Sequence, residues 1–361
     1  MSSIIRSSVR EPFDPSTIKS EVRNTTVGIL VEMLQKDLID LNPDFQRSGE
    51  LWNDGKKSQL IESILLGLPL PSFYFYVDET RKKWVVIDGL QRLCSLRSFM
   101  VDKTLSLQGL EFLDKEKYEI PFDRFDYFDQ LALKMHPVTL NILTGNASAE
   151  ARYIIFQRVN SKGTLLNPTE MRNALYQGRA TQLLSAMVEN EVFKALVSSR
   201  VSTKRMKDKE FASRFLTFYL SDYHEYDGNL DIAISNMMDD INTQFSDDDV
   251  ESIINTFSLT VSLCKELLGE DAFRKPITES ENRKNQISLT VFEMLTVSIA
   301  KLNVSDQSKL KSRKAVFCQL YHNMFLDSRL QKYLSTGTGK AAAITYRFGK
   351  IEEVLMNTLK S

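Results

Sequence analysis

The chain has 361 residues, 42% of them hydrophobic and 26% charged, with a formal net charge of -1. Such a composition is that of an ordinary soluble protein, long enough for two modest domains or for one core domain with a large appendage. It excludes a chain that binds nucleic acid through a global basic excess, and leaves room only for a local patch.

Residues 1–24 are polar and carry Pro12 and Pro15, which reads as an extended arm. From Thr25 to Leu38, Val27, Leu30, Val31 and Leu34 recur at helical spacing, with Thr25 or Thr26 as cap. Asn42-Pro43-Asp44 breaks that pattern, and Phe45-Gln46-Arg47 follows in an extended or turning segment. Asp54 is expected to cap a helix whose apolar stripe is Leu60, Ile61, Ile64, Leu65 and Leu68. Lys57, Gln59, Glu62 and Ser63 fall away from that stripe. Gly67 and Pro69 end it, and Ser72–Val77 is an aromatic strand.

The charged turn from Asp78 to Lys83 joins this strand to Trp84–Ile87, so the two are expected to pair as a hairpin. Leu93, Leu96, Phe99 and Met100 then recur at helical spacing. Leu105–Phe112 has room for a short strand, Tyr118–Leu133 has no clear pattern, and Val138–Leu143 is a strand. Ser148 reads as the cap of a helix with Ile154, Ile155 and Val159 inward, broken at Asn160-Ser161-Lys162-Gly163. Asn167-Pro168-Thr169-Glu170 is a helix start, with a cap, a proline at the first helical position and an acid at the third.

Beyond Gly178 the pattern is helical throughout. The expected helices are Thr181–Val197, Lys209–Tyr219, Leu230–Phe245, Asp247–Leu268, Ile287–Lys301, Ser312–Phe325 and Lys340–Leu359. The fold class expected is therefore α+β, a small mixed sheet with helices followed by a mainly helical part. The divisions are an arm over 1–24, a first domain over 25–178 and a helical domain over 179–361.

The chemistry concentrates between the strand Trp84–Ile87 and the helix that follows it. Asp88, Gly89, Gln91 and Arg92 gather there, where free N–H groups favour an anion. Gly89 lets backbone approach a ligand closely, and Arg92 offers a planar fork suited to phosphate. An arginine so placed is expected to add little to the core. Three further polar clusters interrupt core-like patterns: Gln46-Arg47, Arg158 to Gly163 with Asn160, and Arg172-Asn173. Together these groups supply what a nucleotide site needs: arginines for phosphate, a glycine turn for backbone donors and a carboxylate, Asp88, to hold a metal or orient water.

The stretch VIDGLQRLCSLRSF resembles the signature of the GmrSD-type N-terminal domain family (domain of unknown function 262), which is related in fold to ParB and sulfiredoxin. NPDFQRSGELW at Asn42–Trp52, KKSQLIESILLGLPLPSFYFY at Lys56–Tyr76 and FQRVNSKGTLLNPTEMRNALYQG at Phe156–Gly178 carry the same resemblance. The family pattern has Gln where Leu90 stands and Thr where Cys94 or Ser95 stands; its Asp, Gly, Gln and Arg positions are all kept. The resemblance implies nucleotide binding and hydrolysis at the Asp-Gly-x-Gln-Arg motif. It assigns Asp88, Gln91 and Arg92 to catalysis, Asp88 to a divalent metal such as magnesium, and Gly89, Gln46 and Arg47 to the nucleotide. Lys57, Arg158 and Asn160 are candidates to join the nucleotide-binding set. It further implies a nucleoside-triphosphate-hydrolysing module in defence against foreign DNA, with DNA and an effector protein as partners. The alternative is a sensor that does not turn nucleotide over and docks an effector through its helical half.

Other features point elsewhere. Ser335–Lys340, STGTGK, imitates a phosphate loop, but Leu334 and Ala341 stand where that motif needs Gly and Ser or Thr, so a turn before the last helix is expected. His136, His224 and His322 lie far apart, with no metal-ligand spacing, and nothing from Gly178 to Ser361 resembles the nuclease domain of longer family members. Each histidine is expected to be structural or exposed, with His322 on a core-facing helix. The basic run Arg200 to Arg214 has the charge to meet nucleic-acid phosphate, although a solvated helix face is the commoner outcome of such a run. Cys94, Cys264 and Cys318 share no close spacing, which fits a reducing cytoplasm. The N-terminus lacks the apolar core of a signal peptide, and no stretch reaches the ~20 apolar residues of a membrane helix.

Overall fold

A computed structural model describes residues 19–41, 52–78, 83–144, 153–154, 156–158, 167–201, 203–275 and 287–361. The chain divides into two compact units, the first ending at Leu175 and the second beginning at Tyr176.

The first unit is built on a mixed sheet of five strands: β1 (Lys19–Thr26), β2 (Ile39–Asp40), β3 (Phe73–Asp78), β4 (Lys83–Asp88) and β5 (Pro137–Thr144). Their spatial order is β1-β5-β3-β4-β2. β3 and β4 form the expected antiparallel hairpin, while β5 runs parallel to β3 and antiparallel to β1. Its helices are α1 (Val27–Gln35), α2 (Asp54–Leu65), α3 (Leu90–Leu96), α4 (Lys115–Tyr118), α5 (Tyr127–Met135) and α6 (Pro168–Leu175). The core joins Val27, Leu30 and Leu34 of α1 to Ile61 and Ile64 of α2, Phe73 and Phe75 of β3, and Leu140 and Ile142 of β5. Phe73 faces Leu140 and Phe75 faces Ile142 in register, so these four share the covered face of the sheet. Tyr74 and Tyr76 alternate onto the other face and are half-buried.

Several expectations change here. The C-terminal part of the expected arm, Lys19 to Asn24, belongs to β1, paired along its whole length with β5. The helix over Thr25–Leu38 begins only at Val27, after Thr26, whose side chain makes no capping bond. Asn53, not Asp54, caps α2, accepting from the Lys56 N–H at 2.9 Å, and Asp54 pairs with Lys57 instead. Glu62 does not fall away from the core: it is 3% exposed, while Leu68 is 50% exposed. The Glu62 carboxylate accepts the N–H groups of Glu111, Phe112 and Leu113, at 2.8–3.2 Å. Residues 105–112 form no strand, only a single bridge between Ser106 and Pro121, because their N–H groups go to scattered acceptors: Leu105 to the Ser98 carbonyl, Gln108 to Ser58 Oγ, Leu110 to Glu119, and Glu111 and Phe112 to Glu62. Tyr118–Leu133 resolves into the end of α4, a short turn of helix at Phe122–Arg124 and most of α5. The expected cap at Ser148 lies outside the described residues.

The second unit is mainly helical. Its α-helices among the described residues are α7 (Arg179–Val188), α8 (Glu191–Phe193), α9 (Lys207–Leu220), α10 (Leu230–Gln244), α11 (Asp247–Leu268), α12 (Leu289–Ala300), α13 (Val304–Ser312), α14 (Lys314–Met324), α15 (Ser328–Tyr333) and α16 (Ala341–Lys360). The helix expected over Thr181–Val197 is broken, because the Asn190 side chain accepts the Val192 and Phe193 N–H groups and starts a new turn. α12 is buried from Thr290 to Ala300 and carries Glu293, fully buried between Arg214 at 3.1 Å and Arg347 at 2.7 Å. Arg347 also donates to the Tyr333 and Thr338 carbonyls, and Tyr226 to that of Gly339, so STGTGK turns carbonyls inward before α16. His136 is buried, whereas His224 and His322 are exposed, the latter on the solvent side of α14. Among the described residues no helix is long and apolar enough to cross a membrane.

Candidate functional site around the Asp88–Arg92 turn

β4 is a short run of β-branched residues, with Val85, Val86 and Ile87 buried and Trp84 edge-on to Phe75 at 5.4 Å between centroids. Along the β3–β4 pair the register shifts between Tyr74 and Phe75, so that Val86 faces Phe75 but Asp88 faces Tyr74. The extra residue, Ile87, thus brings Asp88 level with Tyr74 instead of Phe73. On its other side Tyr74 stands level with Asn141 of β5, and Asn141 with Val22 of β1.

Gly89 follows at φ 102°, in the left-handed region. A Cβ there would lie 2.5 Å from a ring carbon of Phe73, so both backbone and space demand glycine. The Gly89 N–H donates to Asp88 Oδ1 at 2.8 Å, which closes the turn on itself. Gln91 Oε1 accepts the Trp52 N–H at 2.9 Å and ties the entry of α2 to α3.

Arg92 is 8% exposed. Its fork is taken up by backbone: it donates to the carbonyls of Pro71 and, at 3.2 Å, Ser72, and it faces Asp88 Oδ2 at 3.4 Å. The guanidinium carbon sits 4.4 Å from the Phe73 ring centroid. Burial lowers its pKa from the ordinary value, and the Asp88 carboxylate opposes that shift. Arg92 therefore locks the start of β3 under the turn, while the Asp88 side chain remains 28% exposed at its rim.

The structure thus brings Asp88, Gly89, Gln91 and Arg92 together. Lys57 lies on α2, its ammonium 2.9 Å from Asp54 and its charge felt by Cys94 of α3, whose thiol burial pushes up to about 11. Arg158 is exposed. Gln46, Arg47 and Asn160 lie outside the described residues. Arg172 and Asn173 are buried on α6, with Arg172 5.5 Å from the Tyr153 ring centroid. At the start of α6 the expected signal is realised: Asn167 Oδ1 accepts the Glu170 N–H at 2.9 Å, and Glu170 Oε2 accepts the Asn167 N–H at 2.7 Å. Tyr74 and Asn141, level with Asp88, were invisible in the sequence as members of this group. Their only sequence signal is the alternation within FYFY and within TLNIL.

Against known proteins, the chain matches one family model, described as GmrSD restriction endonuclease, N-terminal domain, over residues 30–177. No curated protein and no solved structure matches it. The match encloses the whole turn, the hairpin beneath it and α6, so residues 30–177 are similar to the N-terminal domain of a GmrSD restriction endonuclease.

Proposed function

We propose that this domain binds a nucleoside triphosphate at the Asp88–Arg92 turn and hydrolyses it with a divalent ion, in a cytoplasmic system that restricts foreign DNA. The observation that carries the reading is the Asp88 carboxylate, partly exposed on a turn whose other polar groups hold the turn rigid. One carboxylate suits magnesium, which binds through one or two such groups and completes its shell with water and phosphate oxygens. Asp88 would hold that ion, which would supply charge neutralisation on the phosphates; the Gly89 N–H and Arg92 keep the carboxylate in place, and Gln91 anchors the turn to Trp52.

The occupied fork of Arg92 favours a second reading, in which the nucleotide is sensed without rapid turnover. In it the helical unit docks an effector protein, and DNA is met by the assembled system.

The test is thermal and chemical. A nucleotide at a hundredfold excess over its dissociation constant stabilises its site by about 2.7 kcal/mol. At roughly 2–4 °C per kcal/mol the melting temperature rises by several degrees. Steady phosphate release with magnesium, lost in Asp88→Ala, supports hydrolysis; a melting shift without release supports the sensor. Neither a shift nor release with any nucleoside triphosphate refutes both.

A further inference from the structure

The face of the sheet opposite the Phe73–Phe75 core continues the site away from Asp88. Asp88, Tyr74, Asn141 and Val22 stand in one row across β4, β3, β5 and β1. Neighbouring strands lie about 4.8 Å apart, so Asn141 is roughly 10 Å from Asp88 along this row. Partners of Tyr74 and Asn141 one residue along, Phe73 and Leu140, Phe75 and Ile142, all face the covered core, which places Tyr74 and Asn141 side by side on the opposite face. Both are half-buried. Among the described residues no hydrogen bond engages the Tyr74 hydroxyl or the Asn141 amide, unlike the neighbouring Thr139, which donates to Asn24 at 3.1 Å. Val22, 65% exposed, ends the row with an apolar surface.

An aromatic ring beside an uncommitted amide is the chemistry that receives a base. A ring offers a stacking surface to any base, while an amide presents a donor and an acceptor together. That pair complements an edge with an amino donor next to a ring-nitrogen acceptor. Adenine has such an edge; guanine presents two acceptors at the corresponding place.

We propose that Tyr74 and Asn141 form the base subsite of the nucleotide site, Tyr74 stacking on the base and Asn141 selecting adenine over guanine. This rests on the reading of the Asp88 turn as the phosphate end, and extends it to the class of nucleotide. The phosphates then lie over Gly89 and the base over β3 and β5, with Val22 bordering its far edge.

The experiment is calorimetric titration of the full chain, in magnesium, with β,γ-methylene analogues of ATP and GTP and with inorganic tripolyphosphate. The ATP analogue is expected to bind roughly 5- to 150-fold more tightly than the GTP analogue, the range of a good bidentate base contact. Asn141→Leu abolishes that preference. Tyr74→Leu weakens both analogues by a similar factor, Tyr74→Phe retains both affinities, and neither position affects tripolyphosphate. Apo melting curves confirm that each variant is folded. If both analogues and tripolyphosphate bind equally, or if both leucine variants keep the wild-type affinities, the base subsite is overturned while the phosphate turn stands. If none of the three binds, the turn is no nucleotide site and the base subsite falls with it.

Discussion

Replacing Arg92 by alanine separates a structural arginine from one that faces a ligand. The guanidinium is almost wholly buried, donates to the Pro71 and Ser72 carbonyls, faces Asp88 Oδ2 and covers the Phe73 ring. Removal leaves two carbonyls without these donors, at about 1–3 kcal/mol each, and a carboxylate without its counter-charge. The cost of keeping a guanidinium out of water, visible in its lowered pKa, is regained and offsets part of this. The net loss is about 3–5 kcal/mol, set mainly by the two carbonyls left without donors and the lost packing over the Phe73 ring, since Asp88 is partly exposed. For a unit of this size that corresponds to a fall of roughly 6–20 °C in melting temperature, without any nucleotide present. Scanning calorimetry of the apo protein reads it directly. Arg92→Lys should recover less than half of the loss, because a single ammonium cannot hold two carbonyls in the arginine's planar geometry. A fall below about 2 °C, together with loss of the nucleotide-induced shift, would refute this reasoning and return Arg92 to the ligand.

Gly89→Ala should destabilise by about 1–3 kcal/mol, since its φ is left-handed and the new methyl meets the Phe73 ring; an unchanged urea midpoint would contradict it. Glu62 is pulled two ways: burial would raise its pKa, but the Phe112, Leu113 and Glu111 N–H groups and the Lys115 charge hold it below the ordinary value. Its stabilisation is thus complete above an unfolded value of about 4.3 and is lost as pH falls through the lower folded one. Glu62→Gln should flatten that acid limb in pH-dependent melting. Burial alone lowers the pKa of His136, so the unfolded chain takes up its proton first and stability falls as pH drops below about 6.5. His136→Gln should remove that part of the pH dependence, leaving the melting temperature at pH 8 nearly level with that at pH 6. Glu293→Ala strands Arg214 and Arg347 in the interior of the second unit and should cost about 3–5 kcal/mol, read as a loss of helical signal at lower denaturant.

What the sequence determined by itself was local. The α+β division, the β3–β4 hairpin, the exact span Asp247–Leu268 and the cap of α6 all rest on contacts a few residues apart: turn residues between two apolar runs, Asn167 with Glu170, and Ser246 with Asp249. The motif turn belongs with these, since Gly89 and Asp88 meet through one short bond. Tertiary structure decided the rest. β1 carries almost no apolar residue, because an edge strand can find its order in backbone pairing with β5, more than a hundred residues away, and no periodicity records that. Glu62 looked like a surface acid until the loop at Glu111–Leu113 closed on it, fifty residues along the chain. Arg92 is the sharpest case. Its charge and its place after Asp-Gly are legible in one line of sequence, but whether the fork meets a phosphate or the Pro71 and Ser72 carbonyls depends on where β3 begins. That is set by side-chain packing and strand register, and neither is a property of neighbours in sequence.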